Sequence, residues 1–126
     1  MVAPLISIVD DDDSMRASLD NLLRSVGFRA LAFSSAESFL EASPELDAAC
    51  LILDVRMPGM SGLDLQQQLA AARAAVPIIF VTSHLDEEVR ARALRAGAVA
   101  FLYKPFREEE LLKAIDGVVR GQPQGG

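Results

Sequence analysis

The sequence predicts a doubly wound α/β domain, five parallel strands wound by five helices, for which the strand order 2-1-3-4-5 is considered. Three observations carry this. Strand-like and helix-like segments alternate five times along the chain. The first, third and fourth strand candidates are near-continuous apolar runs, the pattern of parallel strands buried on both faces. Two of those runs, Leu5-Ile6-Ser7-Ile8-Val9 and Cys50-Leu51-Ile52-Leu53, end on aspartate, at Asp10 and Asp54. In an open sheet of this order the ligand crevice lies at the carboxyl ends of strands one and three, where the strand order reverses. The acidic ends and the topological crevice therefore coincide.

Each element has a local reason. Leu5–Val9 is the first strand. A helix over Ser14–Val26 follows, because Met15, Leu19, Leu22, Leu23 and Val26 recur at three- and four-residue spacing. Asp13 is placed to cap its start, and Gly27 to close its end in the left-handed conformation. Phe28–Phe33 reads as a second strand, less apolar and nearer an edge. Ala36–Glu41 is a short helix behind Ser34 or Ser35, stopped near Pro44. Cys50–Leu53 is the third strand. Val55–Gly62 holds Pro58, Gly59 and Gly62 and reads as a loop.

Leu63–Ala74, rich in Gln, Leu and Ala, is the third helix. Pro77 opens the fourth strand, Ile78–Val81. Asp86 caps a fourth helix, Glu87–Ala96, whose early acids suit the helix dipole and whose stop is Gly97. Val99–Tyr103 is the fifth strand, and Glu108–Val119 the last helix. Gly121–Gly126 has no apolar residue beyond glycine and proline and is expected as a flexible tail or linker. One domain over residues 1–120 results.

The bulk properties narrow the function classes. With 126 residues, 51% of them hydrophobic, the chain is one domain with a core of its own. The net charge of -6 repels phosphate backbones, so direct nucleic-acid binding by this domain is not expected. No apolar run approaches the ~18 residues of a membrane span. Met1–Val9 has no basic residue and runs into four acids, which is not the pattern of a signal peptide. The single cysteine, Cys50, lies in a strand, so no internal disulfide forms and a reducing cytoplasm is the expected compartment.

Four strand ends converge in this topology. Strand one supplies Asp10 and Asp11, strand three Asp54, strand four Thr82 and Ser83, strand five Lys104 and Pro105. Two carboxylates about 5 Å apart repel by roughly 3 kcal/mol at an effective dielectric near 20. Lys104 offsets part of this, and a divalent cation offsets more. Oxygen-only ligands favour Mg²⁺ or Mn²⁺. Magnesium takes one or two carboxylates and keeps waters, which leaves Asp54 free as a nucleophile. The cation and Lys104 would neutralise an incoming phosphoryl group, and the Thr82 hydroxyl would donate to one of its oxygens. Asp12 and Asp13 fit capping and solvation. The only histidine, His84, fits an exposed loop, and Phe101 and Tyr103 fit packing.

With these residues placed, the chain resembles the receiver domain of two-component response regulators, whose fold is the flavodoxin-like, CheY-like one. The matching motifs are Val9-Asp10-Asp11, the run from Leu53 to Gly62, Val81-Thr82-Ser83, and Phe101-Leu102-Tyr103-Lys104-Pro105-Phe106. They span Ile6 to about Val119. The run from Asp54 to Gly62, with His84 after Thr82, is similar to the FixJ/NarL type, whose members carry a DNA-binding output domain.

The resemblance implies that Asp54 accepts a phosphoryl group from a histidine kinase or phosphotransfer protein. It implies direct Mg²⁺ ligation by Asp11, ligation through water by Asp10, and a ligand from the backbone carbonyl of Arg56. Thr82 and Lys104 would contact the phosphoryl oxygens. Phe101 would turn inward with Thr82, Lys104-Pro105 would be a cis peptide, and no organic cofactor is implied. It further implies a switched face of helix four, strand five and helix five, with a phosphorylation-dependent homodimer in which Arg90, Arg95, Glu108 and Glu109 pair. The kinase would dock on helix one around Ser14, Met15 and Ser18, and Arg56 and His84 would sit at the pocket mouth.

A rival reading stays open at this point. Asp10-Asp11-Asp12 also fits the Asp-x-Asp of a Mg²⁺-dependent phosphatase of the haloacid dehalogenase type, although that leaves Asp54 without a role. A second rival is an adaptor that keeps the fold and is not phosphorylated.

Overall fold

The structure is a computed structural model and describes residues 3–42 and 47–120. The elements run β1 Leu5–Val9, α1 Asp13–Ser25, β2 Arg29–Phe33, α2 Ala36–Ala42, β3 Ala48–Asp54, α3 Gly62–Ala71, β4 Ile78–Thr82, α4 Glu87–Arg95, β5 Ala100–Tyr103 and α5 Glu108–Arg120. All strand pairs are parallel, and the sheet order is β2-β1-β3-β4-β5. The expected topology therefore holds. The reversal falls between β1 and β3, whose last pair in register is Val9 with Leu53.

Strand alternation divides the core in two. Ile6, Ile8, Ile52, Ile79 and Val81 pack with Leu19 and Leu23 of α1 and Leu111, Ile115 and Val118 of α5. Val9, Leu51, Leu53 and Phe80 point the other way, onto Phe39 of α2, Leu65 and Leu69 of α3, and Ala93 of α4. Each β3 residue from Cys50 to Asp54 is buried, as is all of β1 and β4. That explains why their sequences are almost continuously apolar up to the polar residue at each carboxyl end, Asp10, Asp54 or Thr82. β2 is an edge strand, mostly exposed, as its mixed composition suggested.

Boundaries moved where side-chain chemistry overrode periodicity. The cap of α1 is Asp12, not Asp13. Asp12 has extended backbone angles, and its carboxylate accepts the N–H groups of Ser14 and Met15, while Asp13 already lies in the first turn. Gly27 closes that helix at φ +97°. Ser35 is the α2 cap, accepting the Ser38 N–H at 3.1 Å. α3 starts at Gly62 behind a reciprocal capping box between Ser61 and Asp64. It stops at Ala71 rather than Ala74, because Arg73 adopts φ +57° and the Ala74 N–H turns back to the Leu69 carbonyl at 2.9 Å. α4 is capped by Asp86 and followed by Gly97 at φ +108°, as read from the sequence. The stop near Pro44 and the 121–126 tail lie outside the described residues.

Candidate functional site

β1 ends by burying a charge. Asp10 is wholly inaccessible, yet its carboxylate is satisfied on both oxygens: Oδ1 accepts the Asp12 N–H at 2.9 Å, and Oδ2 accepts from Lys104 Nζ at 2.9 Å. A buried carboxylate persists in such a place only when paired and hydrogen-bonded. Arg16, one turn into α1, donates to the Asp10 backbone carbonyl at 2.6 Å and pairs with Asp13. The loop after β1 is thereby pinned from both sides. Asp11 is exposed and points its carboxylate at the same pocket.

Asp54, the last residue of β3, is 6% exposed. Oxygens of Asp10, Asp11 and Asp54 all lie within 4.8 Å of one another. Lys104 Nζ is 3.8 Å from Asp54 Oδ2. The balance leaves Asp54 a reluctant anion. Burial, then repulsion from Asp10, push its carboxyl up to about 7; Lys104 pulls it down, Asp11 raises it again, and the Arg56 backbone N–H it accepts lowers it. The donor set is three carboxylates without nitrogen or sulfur, and its electrostatic defect is excess negative charge. Both features fit a hard divalent cation such as Mg²⁺ or Mn²⁺.

The remaining strand ends line the same rim. Thr82 is buried at the end of β4, its neighbour Val81 lies in register with Asp54, and its hydroxyl accepts the His84 N–H at 3.2 Å. Lys104 follows β5, donates its backbone N–H to the Thr82 carbonyl at 2.7 Å, and precedes a cis peptide to Pro105. Phe101 is half-buried, with its ring 5.8 Å from Phe80 and 5.5 Å from Tyr103. His84 and the Arg56 side chain are exposed. Cys50 is wholly buried, and desolvation pushes its thiol up to about 12, which makes it inert packing.

Residues 6–116 match the response regulator receiver domain. The chain belongs to the response regulator receiver family. It is 49% identical over 120 residues to the response regulator protein TmoT of Ectopseudomonas mendocina, covering 95% of this chain and 54% of that protein. It is 50% identical over 111 residues to nodulation protein W of Bradyrhizobium diazoefficiens, covering 88% and 49%. The transcriptional regulatory protein FixJ of the same organism is 41% identical over 115 residues, covering 91% and 56%.

The chain thus spans about half the length of the curated relatives it matches. Among solved structures, response regulator StyR superposes with a TM-score of 0.86 at 49% identity, covering 94% of this chain and 60% of that one. FixJ-N superposes at 0.88 and 35% identity, covering 98% of each. The domain is a two-component receiver with the CheY-like fold, a family phosphorylated by histidine kinases. That membership sets aside the phosphatase reading of Asp10-Asp11-Asp12. Among the described residues no helix is long and apolar enough to cross a membrane.

The sequence reading located Asp10, Asp11, Asp54, Thr82 and Lys104, and the fold brings the three acids and the lysine together. It missed Arg16, Glu37 and the role of Gly62. Arg16 grips a backbone carbonyl, which leaves no mark in a residue pattern. Gly62 looked like a generic loop glycine, whereas a Cβ there would sit 2.2 Å from the Asp54 carbonyl oxygen.

Proposed function

We propose that Asp54 is the phosphoacceptor of this receiver and that Asp10, Asp11, Asp54 and the Arg56 carbonyl hold the Mg²⁺ (or Mn²⁺) its reaction requires. One observation carries this reading: a buried strand-end carboxylate shares a 4.8 Å cluster with two other acids and lies 3.8 Å from a lysine ammonium. When bound, the cation supplies positive charge that favours the ionised, nucleophilic form of Asp54 and offsets the charge of an arriving phosphoryl group.

The chain's own groups do the rest. An Asp54 oxygen attacks the phosphorus of a phosphohistidine, the P–O bond forms as the P–N bond breaks, and the imidazole nitrogen leaves with its electron pair. Lys104 pairs with the new phosphoryl oxygens, and the Thr82 hydroxyl turns from accepting the His84 N–H to donating to one of them. Each such bond is worth roughly 1.5–3 kcal/mol, so two or three reach the ~5.5 kcal/mol needed to invert a 1:99 population. Phe101 follows Thr82 inward, and the α4–β5–α5 face changes.

The output is transcriptional control through a further domain, a reading supported by the printed role of the FixJ relatives. The phosphorylated form pairs as a homodimer, works in the cytoplasm, and leaves nucleic-acid contact to that further domain. Incubation with acetyl phosphate and Mg²⁺ tests the core claim. The wild type takes up label, and Asp54→Asn does not. Undiminished labelling of that variant overturns the assignment, and so does magnesium-independent labelling of the wild type.

A further inference from the structure

The loop between β3 and α3 closes over Asp54, and its neck and tip are held by different means. At the neck the Gly62 N–H donates to the Val55 carbonyl at 2.8 Å, with no room for a side chain at position 62. Just after Asp54, the Arg56 backbone N–H lies near enough to the Asp54 carboxylate to favour its ionised form. The tip is held from outside the loop. Glu37, in the first turn of α2, accepts the Met60 N–H through Oε2 at 2.9 Å.

The same oxygen fills the space beneath Gly59. A Cβ at that position would meet it at 2.8 Å, and Gly59 takes φ +78°, where side chains are strained. Glu37 is exposed, and α2 has its own anchors in the Ser35 cap and the buried Ala36 and Phe39. A first-turn acid suits the helix dipole, but the dipole does not require its oxygen to reach a backbone N–H of a separate loop. The contacts of Glu37 run to that loop.

We propose that Glu37 is a positioning residue for the phosphoacceptor pocket: it latches the tip of the β3–α3 loop and so keeps Arg56 in register with Asp54. The inference rests on the pocket reading above. A carboxylate accepting an N–H makes a charge-assisted bond, stronger than a neutral one. Between Asp54 and the neck, the loop contains Pro58 and a glycine in the left-handed region, so an unlatched tip has several alternative paths. Loss of the latch spreads Arg56 over those paths and loosens the metal-binding geometry without opening the core.

Mg²⁺ titration by calorimetry, paired with amide hydrogen exchange, tests the latch on the whole chain. In Glu37→Ala the Mg²⁺ dissociation constant rises about three- to tenfold, a fraction of one such bond, because the latch is exposed and acts on the metal site only through the loop. Exchange at Met60 and Arg56 speeds up, and the melting temperature moves by less than about 2 °C. Glu37→Gln keeps an acceptor oxygen and recovers most of the affinity despite losing the charge. Gly59→Ala evicts the carboxylate and weakens binding as Glu37→Ala does, while adding less in a Glu37→Ala background.

Wild-type affinity and exchange in Glu37→Ala overturn the latch. Equal losses in the Ala and Gln variants also overturn it, because they assign the effect to charge alone. A wild-type chain that binds no Mg²⁺ sinks the pocket reading instead, and Met60 exchange then still decides the latch.

Discussion

At the ends of β1 and β3 each carboxylate is held by several independent constraints. Asp10 is bonded on both side-chain oxygens and on its carbonyl, Asp54 lies 3.8 Å from the Lys104 ammonium, and Gly62 packs against the Asp54 backbone. At the ends of β4 and β5 the constraints thin out. Every residue of β5 is only half-buried, the 83–85 loop is exposed, and Leu85 is 80% exposed. The Tyr103 hydroxyl is buried without a partner among the described residues, as is that of Ser7 in the middle of β1, but only the Tyr103 hydroxyl belongs to a strand whose residues are all half-buried. The contrast teaches a division of labour. The acidic half is built to hold charge in one place, and the β4–β5 half keeps packing that can be exchanged at low cost.

The comparison breaks most directly at Gly62. Gly62→Ala places a methyl 2.2 Å from a backbone oxygen that cannot rotate away. We expect a loss of about 4 kcal/mol or more, a large share of the ~5–15 kcal/mol that holds a domain folded. Urea unfolding measures it, and a loss under about 1 kcal/mol would show that the acidic half relaxes more freely than its geometry implies.

A smaller effect tests the charge held there. The Asp54 carboxyl is raised from its ordinary 3.8 to about 7. Between those values the folded chain keeps a proton that the unfolded chain releases. Without metal, the stability that Asp54 contributes is therefore full below about pH 4 and is lost as pH rises through about 7. Asp54→Asn flattens that slope, and Mg²⁺ stabilises the wild type more at pH 8 than at pH 5. Thermal melts across pH in chelator and in Mg²⁺ read both, and a rising metal-free profile would contradict the sign.

The smallest change sharpens the other half. Tyr103→Phe removes an unpartnered buried hydroxyl and should stabilise the resting domain by about 1 kcal/mol. A destabilised variant in thermal melts would mean that the hydroxyl is already satisfied and that β5 is less free than the comparison holds.

The alternation of apolar runs and helical periods gave the doubly wound sheet, because parallel strands buried on both faces cannot hide their composition, and the family's strand order then located the site at the crevice. The same logic set Asp10, Asp11, Asp54, Thr82 and Lys104 at one rim. Helix ends were less legible: Asp12 and Asp13 are chemically alike, and only backbone angles chose Asp12 as the cap. What the tertiary structure alone decided are contacts between a side chain and a distant backbone. Arg16 on the Asp10 carbonyl, Glu37 on the Met60 N–H and Gly62 against the Asp54 carbonyl are of this kind. Every residue offers the same backbone groups, so sequence carries no mark of which one will be gripped until the chain has folded.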